Sequence, residues 1–323
     1  MLSIQSAEQI GGEPLAISMG FFDGVHIGHR QLLANVANVA KQNGYRTAVY
    51  TFWPHPRLVL DKDAESLQLL NTPEEKRLLL ESLGIDYLIV NEFTTELFAM
   101  PAEDYLRQLV QRFNVRHIAV GHNHRFGKGG RGNAKMIAAM ADTLGYTYTI
   151  VREVLCMGNG VSSTQIRTAL SEGNLSLANA MLGRPYPIGG TVVRGQQLGR
   201  QLGFPTANIE PEHPLKLIPA DGAYAAVAAI DGQLHPAMLH IGPRPTVNGH
   251  RTIEAHIIGL EREIYGSKLL LSVAEQLRPT QRFASAQALA QQLQADLQAT
   301  EHLMHGIDLR TIAPQHLQTT NNQ

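Results

Sequence analysis

Two imidazoles three residues apart, in His26-Ile27-Gly28-His29, stand where a short apolar run gives way to a segment of helical period, directly after Gly20-Phe21-Phe22-Asp23-Gly24-Val25. A glycine between two histidines lets the backbone come close to a ligand, and the first turn of a helix offers unpaired N–H groups to anionic oxygens. The arrangement suits phosphate. Zinc is the rival for any histidine pair, but with no Cys, Glu or third His close by the segment supplies too few ligands for a closed tetrahedral site.

Other segments carry related chemistry. Gly121-His122-Asn123-His124-Arg125-Phe126-Gly127-Lys128-Gly129-Gly130-Arg131-Gly132-Asn133 sets three basic side chains among five glycines. That suits a phosphate clamp, or more plainly a solvated basic loop; Lys128 is followed by Gly129, so this is not a Walker A loop. Val161-Ser162-Ser163-Thr164-Gln165-Ile166-Arg167 offers hydroxyls that can cap a helix and an arginine one turn in, within reach of a phosphate. Thr51-Phe52-Trp53-Pro54-His55-Pro56 is a stiff aromatic corner that either packs its strand or borders a site, with Trp53 read as packing. In the second half, Gly195, Gly199 and Gly203, with Arg194 and Arg200, form a loop able to wrap a nucleotide or an ordinary β-turn. Thr206 and Asn208, two apart in an extended segment, project the same way and offer oxygens to a hard cation such as Mg2+. Glu254 out of context is a surface acid on a strand.

The elements that must position these residues read as two domains, as a length of 323 residues leads one to expect. Up to about residue 180, short apolar runs (Leu15–Met19, Arg46–Phe52, Tyr87–Val90, His117–Val120, Thr147–Val151) alternate with helical periods (Gln31–Lys41, Pro73–Leu83, Asp104–Phe113, Ala134–Leu144). This is the βαβ pattern of a doubly wound α/β parallel sheet, whose ligands bind beyond the carboxyl ends of the strands. Leu32, Val36 and Val39 define one helix face, and Thr72 caps a helix with Pro73 at its first position. After Gly183-Arg184-Pro185-Tyr186-Pro187 the runs shorten and turn signals multiply (Asp221-Gly222, Asp231-Gly232, Asn248-Gly249), the texture of a small antiparallel β-barrel. Leu289, Leu293 and Leu297 form the stripe of a closing helix, Ser285 to about His302. The expected division is 1–182, 183–310 and a polar tail, 311–323.

A net charge of -1 and a pI near 6.9 argue against a nucleic-acid binder. The single cysteine, Cys156, permits no internal disulfide and reads as a small buried hydrophobe. No apolar run is long enough for a membrane span, and Met1 to Gly12 lacks the pattern of a signal peptide, so a cytoplasmic location is expected. The oligomeric state is left open.

Taken together, these segments resemble the nucleotidylyltransferase superfamily, and specifically the prokaryotic riboflavin kinase/FAD synthetases. The first half matches in Gly-x-Phe-Asp-Gly-Val-His-x-Gly-His, Thr-Phe-x-Pro-His-Pro, Leu70 to Lys76, the Arg-Phe-Gly loop and Ser-Ser-Thr-x-Ile-Arg. The second matches in Gly190 to Asn208, Gly242-Pro243-Arg244-Pro245-Thr246, Glu254-Ala255-His256, Tyr265-Gly266, Leu277-Arg278-Pro279 and Arg282-Phe283. The resemblance implies phosphorylation of riboflavin to FMN, then attack of FMN on the α-phosphate of ATP to give FAD and pyrophosphate. It implies His26, His29 and Arg167 on the ATP phosphates in adenylyl transfer, and Gly20, Phe21, Asp23, Gly28, Asn123, Arg125, Ser163 and Thr164 around the substrates. In the kinase half it implies Gly195, Gly199, Arg200 and Gly203 around ATP, Thr206 and Asn208 on Mg2+, and Glu254 as base for the riboflavin hydroxyl. Asn123 and His124 stand where the family commonly has Asp and Phe, and His240 where it has Asn. The competing readings are a single-function adenylyltransferase with a flavin-binding β-domain and a non-catalytic flavin or nucleotide sensor.

Overall fold

The computed structural model describes all residues except 5–6, 61–63, 196–198, 200–202, 244–250 and 313–323. Arg200, the Arg244-Pro245-Thr246 motif, Asn248-Gly249 and nearly all of the expected tail lie outside the described residues. The chain forms two compact units, Met1–Leu67 with Lys76–Ser162, and Gln68–Glu75 with Ser163–Gln323.

In the first unit β1 (Leu2–Ile4), β2 (Leu15–Met19), β3 (Arg46–Trp53), β4 (Tyr87–Glu92), β5 (Val115–Gly121) and β6 (Thr147–Val151) form one sheet. Its order is β1-β4-β3-β2-β5-β6, and every pairing is parallel. The edge strand β1 carries no sequence signal and adds to the five expected. Because both faces are covered, alternate residues of one strand enter different cores: Leu15, Ile17 and Met19 pack with Tyr105, Leu106 and Leu109, whereas Ala16 packs with Leu32, Leu33 and Val36. The covering helices are α1 (Ile27–Asn43), the C-terminal part of α2 (Pro73–Ser82), α3 (Ala102–Arg112) and α4 (Ala134–Leu144). Helix α1 begins four residues before the expected start, and Ala40 rather than Val39 completes its buried face. The chain runs from β2 outward to β3 and β4, then returns to place β5 on the other flank of β2. Strand order therefore reverses beside β2, the position at which doubly wound sheets open a crevice.

In the second unit α5 (Ser163–Ser171) and α6 (Leu175–Leu182) precede six strands: β7 (Tyr186–Val193), β8 (Ala207–Pro211), β9 (Gly222–Ile230), β10 (Gln233–Pro243), β11 (Arg251–Ile257) and β12 (Lys268–Pro279). They close into a barrel of order β7-β8-β11-β10-β9-β12 with antiparallel neighbours. Asp231 and Gly232, both at positive φ, make the expected β9–β10 turn. Asp221-Gly222 makes none, because Gly222 already pairs with Ile241 and Pro279. Asn179 ties α6 to the barrel, donating to the Val273 and Ala274 carbonyls and accepting from the Tyr186 N–H. The packing division after Ser162 thus lies ahead of the change in sequence texture at 183.

The closing helix, α7 (Ala286–Met304), is capped by Ser285, whose hydroxyl accepts from the Ala288 N–H at 3.1 Å. Leu289, Leu293 and Leu297 are only half-buried, and the deeply buried positions are Asp296, Thr300 and Met304. The apolar stripe misses this because Asp296 enters paired: Arg278 donates to both its oxygens, with a closest approach of 2.7 Å.

Segment Gln68–Glu75 belongs to the barrel unit through a second buried ion pair. Lys216 Nζ lies 2.7 Å from Glu75 Oε2, donates to the Leu70 carbonyl at 2.8 Å and sits 4.4 Å from the Tyr186 ring centroid. Glu75 also accepts from the Thr72 and Gly189 N–H groups, and Thr72 Oγ1 accepts from the Glu75 N–H, so a capping box is drawn into the core. Removing one member strands the other charge: Lys216→Met is expected to cost about 3–5 kcal/mol in urea unfolding, and Lys216→Met with Glu75→Leu to recover much of it. A loss below about 1 kcal/mol for the single change would show that the pair behaves as a solvated one.

Candidate active sites

The six residues after β2 turn sharply before α1 starts. Phe22 (φ 54), Gly24 (φ 84) and Val25 (φ 40) all take positive φ, and Val25 is β-branched, so the turn carries strain. It is held by burial, since the Phe22 and Val25 side chains are 2% and 1% exposed in the α1-side core. His26 is the N-cap of α1, and its Nδ1 accepts from the His29 N–H at 3.3 Å. In the neutral ring this puts the proton on Nε2, a donor of the kind a phosphate oxygen needs. The two imidazoles stack face to face, with centroids 3.6 Å apart and planes 16° from parallel. Gly28 permits this, because a Cβ there would lie 3.2 Å from two atoms of the His26 ring. Gly20 likewise leaves room for the Phe22 ring, 3.3 Å from where its Cβ would be. Asp23 is buried in the same turn.

Asn123 and Arg125 follow β5, the strand on the reversal side of β2, and both are exposed. Arg125–Phe126 pairs with Gly132–Asn133 in a short hairpin, where Gly132 accommodates the Phe126 ring. His124 stacks on Phe126 at 5.8 Å. The residue as a whole is half-buried, but Nε2 is shielded from solvent with no hydrogen-bond partner among the described residues. Burial pushes its pKa down to about 4, so this imidazole is neutral and serves as an apolar ring. Ser163, Thr164 and Arg167 lie in the first two turns of α5, in the second unit.

On the barrel, strand register assembles the second group. Glu254 on β11 stands directly opposite Asn208 on β8 and His240 on β10, so the three side chains share one face of the sheet. That face is opposite the one carrying the buried Ile253, Ala255 and Ile257. The Thr206 hydroxyl donates to Glu254 Oε2 and the Thr252 hydroxyl to Oε1, each at 3.5 Å. Gly195 abuts Asn208 and Gly199 abuts the Phe204 carbonyl, each so closely that a Cβ would lie under 2.5 Å from the neighbour. Gly203 has φ 84. Burial pushes the His240 pKa down, with Glu254 opposing, which favours a neutral ring beside the carboxylate. Next to Thr206 a cavity of about 160 Å³ opens, lined by Val192, Pro205, Ala207, Ala255 and Tyr265 among others. Arg194 stacks over the Tyr265 ring at 5.2 Å. Thr252 and Tyr265 were not singled out as site residues from sequence; Thr252 is two residues from Glu254 on one strand, which is the signal that would have found it.

A strand-order reversal with an imidazole pair at a helix N-terminus, followed by a closed barrel with oxygen donors around a glutamate, defines a two-domain transferase fold of the nucleotide-handling kind. The comparisons agree. A family model described as FAD synthetase matches residues 9–165, and one described as riboflavin kinase matches residues 182–304. A Listeria monocytogenes bifunctional riboflavin kinase/FMN adenylyltransferase is 36% identical, covering 88% of this chain and 90% of its own length. The Escherichia coli (strain K12) protein of the same name is 34% identical, covering 91% and 94%. A solved Streptococcus pneumoniae structure, titled a macrolide-efflux protein, shares the fold with a TM-score of 0.85 at 28% identity, covering 93% of this chain and 98% of that one. The chain belongs to the bifunctional riboflavin kinase/FMN adenylyltransferase family.

The His124 environment generates a pH test. A histidine held neutral when folded binds a proton more readily when unfolded, so stability falls as pH drops from the ordinary value of 6.5 toward about 4. His124→Phe is expected to flatten that part of the stability-versus-pH curve and to leave FAD formation unchanged near neutral pH. An unaltered acid limb in urea titrations would show that His124 is solvated.

Proposed function

We infer that the two activities of this family are divided between the two chemistries described, adenylyl transfer at the imidazole turn of residues 1–182 and phosphoryl transfer at the Glu254 face of residues 183–310. Family membership makes the chain an enzyme of flavin-cofactor biosynthesis, a riboflavin kinase and FMN adenylyltransferase with riboflavin, FMN and ATP as substrates. The observation that carries the division is the stacked His26–His29 pair at the strand-order reversal, set against Glu254 flanked by Thr206 and Asn208.

For adenylyl transfer the FMN phosphate attacks the α-phosphorus of ATP, a new P–O bond forms, and pyrophosphate departs with the α–β bridging oxygen. His26 and His29 meet the negative charge that builds on the phosphates, while Gly20, Phe21, Asp23, Gly28, Asn123 and Arg125 border the bound substrates. For the kinase step the riboflavin 5′-hydroxyl attacks the γ-phosphorus of ATP, Glu254 accepts its proton and ADP leaves. Gly195, Gly199, Arg200 and Gly203 form the loop around ATP. Thr206 and Asn208 present hard oxygen donors beside a carboxylate, a set that fits Mg2+, which when bound neutralises phosphate charge. A cytoplasmic enzyme acting on small molecules, with neither nucleic acid nor membrane as partner, fits the near-zero net charge. Among the described residues no helix is long and apolar enough to cross a membrane.

The assay supplies riboflavin, ATP and Mg2+ and separates FMN from FAD over time. Glu254→Gln is expected to lower FMN formation by roughly 10²–10⁴-fold while adenylylation of supplied FMN stays near normal. His29→Ala should do the reverse, lowering FAD formation on the order of a hundredfold or more. If either variant loses the opposite activity instead, the division of labour is wrong.

A further inference from the structure

Behind the imidazole turn lies a buried cation outside the residues assigned above. Lys76, on α2, is 6% exposed. Its Nζ donates to the Phe21 main-chain carbonyl at 2.6 Å and lies 3.9 Å from the centroid of the Phe21 ring. Thr51 Oγ1 donates to the same carbonyl at 3.4 Å, and His55 meets the Phe21 ring edge-on at 4.3 Å. Phe21 itself is half-buried, between this support and solvent. Burial pushes the lysine pKa down to about 8, and the buried Asp23 two residues from Phe21 opposes that shift.

Taking an ammonium out of water is costly, and an apolar side chain of similar length would fill the same space without that cost. The amine adds something an apolar chain cannot. It clamps one residue twice, the carbonyl by a charge-assisted hydrogen bond and the ring by a cation–π contact. Phe21 is also the residue from which the strained path through Phe22 and Val25 to His26 departs.

We propose that Lys76 is a positioning residue for adenylyl transfer, fixing the Phe21 carbonyl and ring and, through the turn they anchor, the placement of His26 and His29. The inference rests on the reading that adenylyl transfer occurs at that histidine pair. Lys76 acts through Phe21 and not on the reacting phosphates.

The full-length enzyme supplies its own control, because both activities can be measured on each variant. Lys76→Met is expected to lower kcat for FAD formation from supplied FMN by roughly 10- to 100-fold, the scale of a small misplacement of catalytic groups. FMN formation from riboflavin should stay within about twofold. Lys76→Gln, which keeps an N–H donor, should recover part of the loss, and in a Phe21→Leu background Lys76→Met should cost less than in the parent. FAD formation by Lys76→Met within about twofold of the parent overturns the proposal. So does an equal fall of both activities in the Met and Gln variants, which would make the lysine a matter of general stability. If His29→Ala also leaves FAD formation intact, the placement of adenylyl transfer at this turn has failed; if only Lys76→Met does, the role of Lys76 has.

Discussion

The α/β unit depends on keeping a strained turn in one shape. Two side chains that would avoid positive φ, Phe22 and Val25, adopt it within four residues. Each such residue costs about 1–3 kcal/mol, which surrounding structure must offset. Here the offset is visible: both side chains are sunk in the core shared with Leu32, Leu33 and Val36 of α1. The helix that needs the turn also supplies the packing that holds it. Once the turn is fixed, His26 caps α1 and its ring lies flat on that of His29, which a side chain at position 28 would disturb.

The barrel achieves its geometry by another route. Among its described residues Asp231, in the β9–β10 turn, is the non-glycine at positive φ, and Glu254, Asn208 and His240 are not; the site follows from antiparallel register, which sets Asn208, Glu254 and His240 in one row across three strands. A one-residue slip would turn that row to the barrel interior. The two solutions suit the proposed division of chemistry. A phosphate nucleophile is already ionised and needs its charge managed, which imidazoles at a helix N-terminus can do. A hydroxyl nucleophile must lose a proton, and a carboxylate is positioned to take it.

The departures from the family pattern have a physical reading in the same terms. At position 124 burial keeps the imidazole neutral and stacked on Phe126, so it performs the packing of an aromatic ring. At position 240 burial again disfavours the charged ring, although the neighbouring Glu254 pulls the other way. Histidine is a polar ring in water and close to an apolar one when desolvated, and the surroundings decide which.

From the sequence alone came the alternation of strands and helices, the barrel texture after Pro187, the Thr72 cap, the start of the closing helix near Ser285 and the placement of His26 and His29 at a helix start. All of these are local, set by periodicity, capping chemistry and spacing within a few residues. Edge strand β1 was not legible, because three residues with one buried side chain carry no periodic signal. The inward face of α7 was misjudged, because a buried Asp296 looks like a surface acid until Arg278, eighteen positions earlier, is seen to pair with it. Lys216 and Glu75 are 141 residues apart, and nothing in either neighbourhood announces the other. Lys76 was legible as part of a motif but not as a support for Phe21, since that contact spans 55 residues. A buried charge is stable only beside its partner, and partners distant in sequence meet only when the chain has folded.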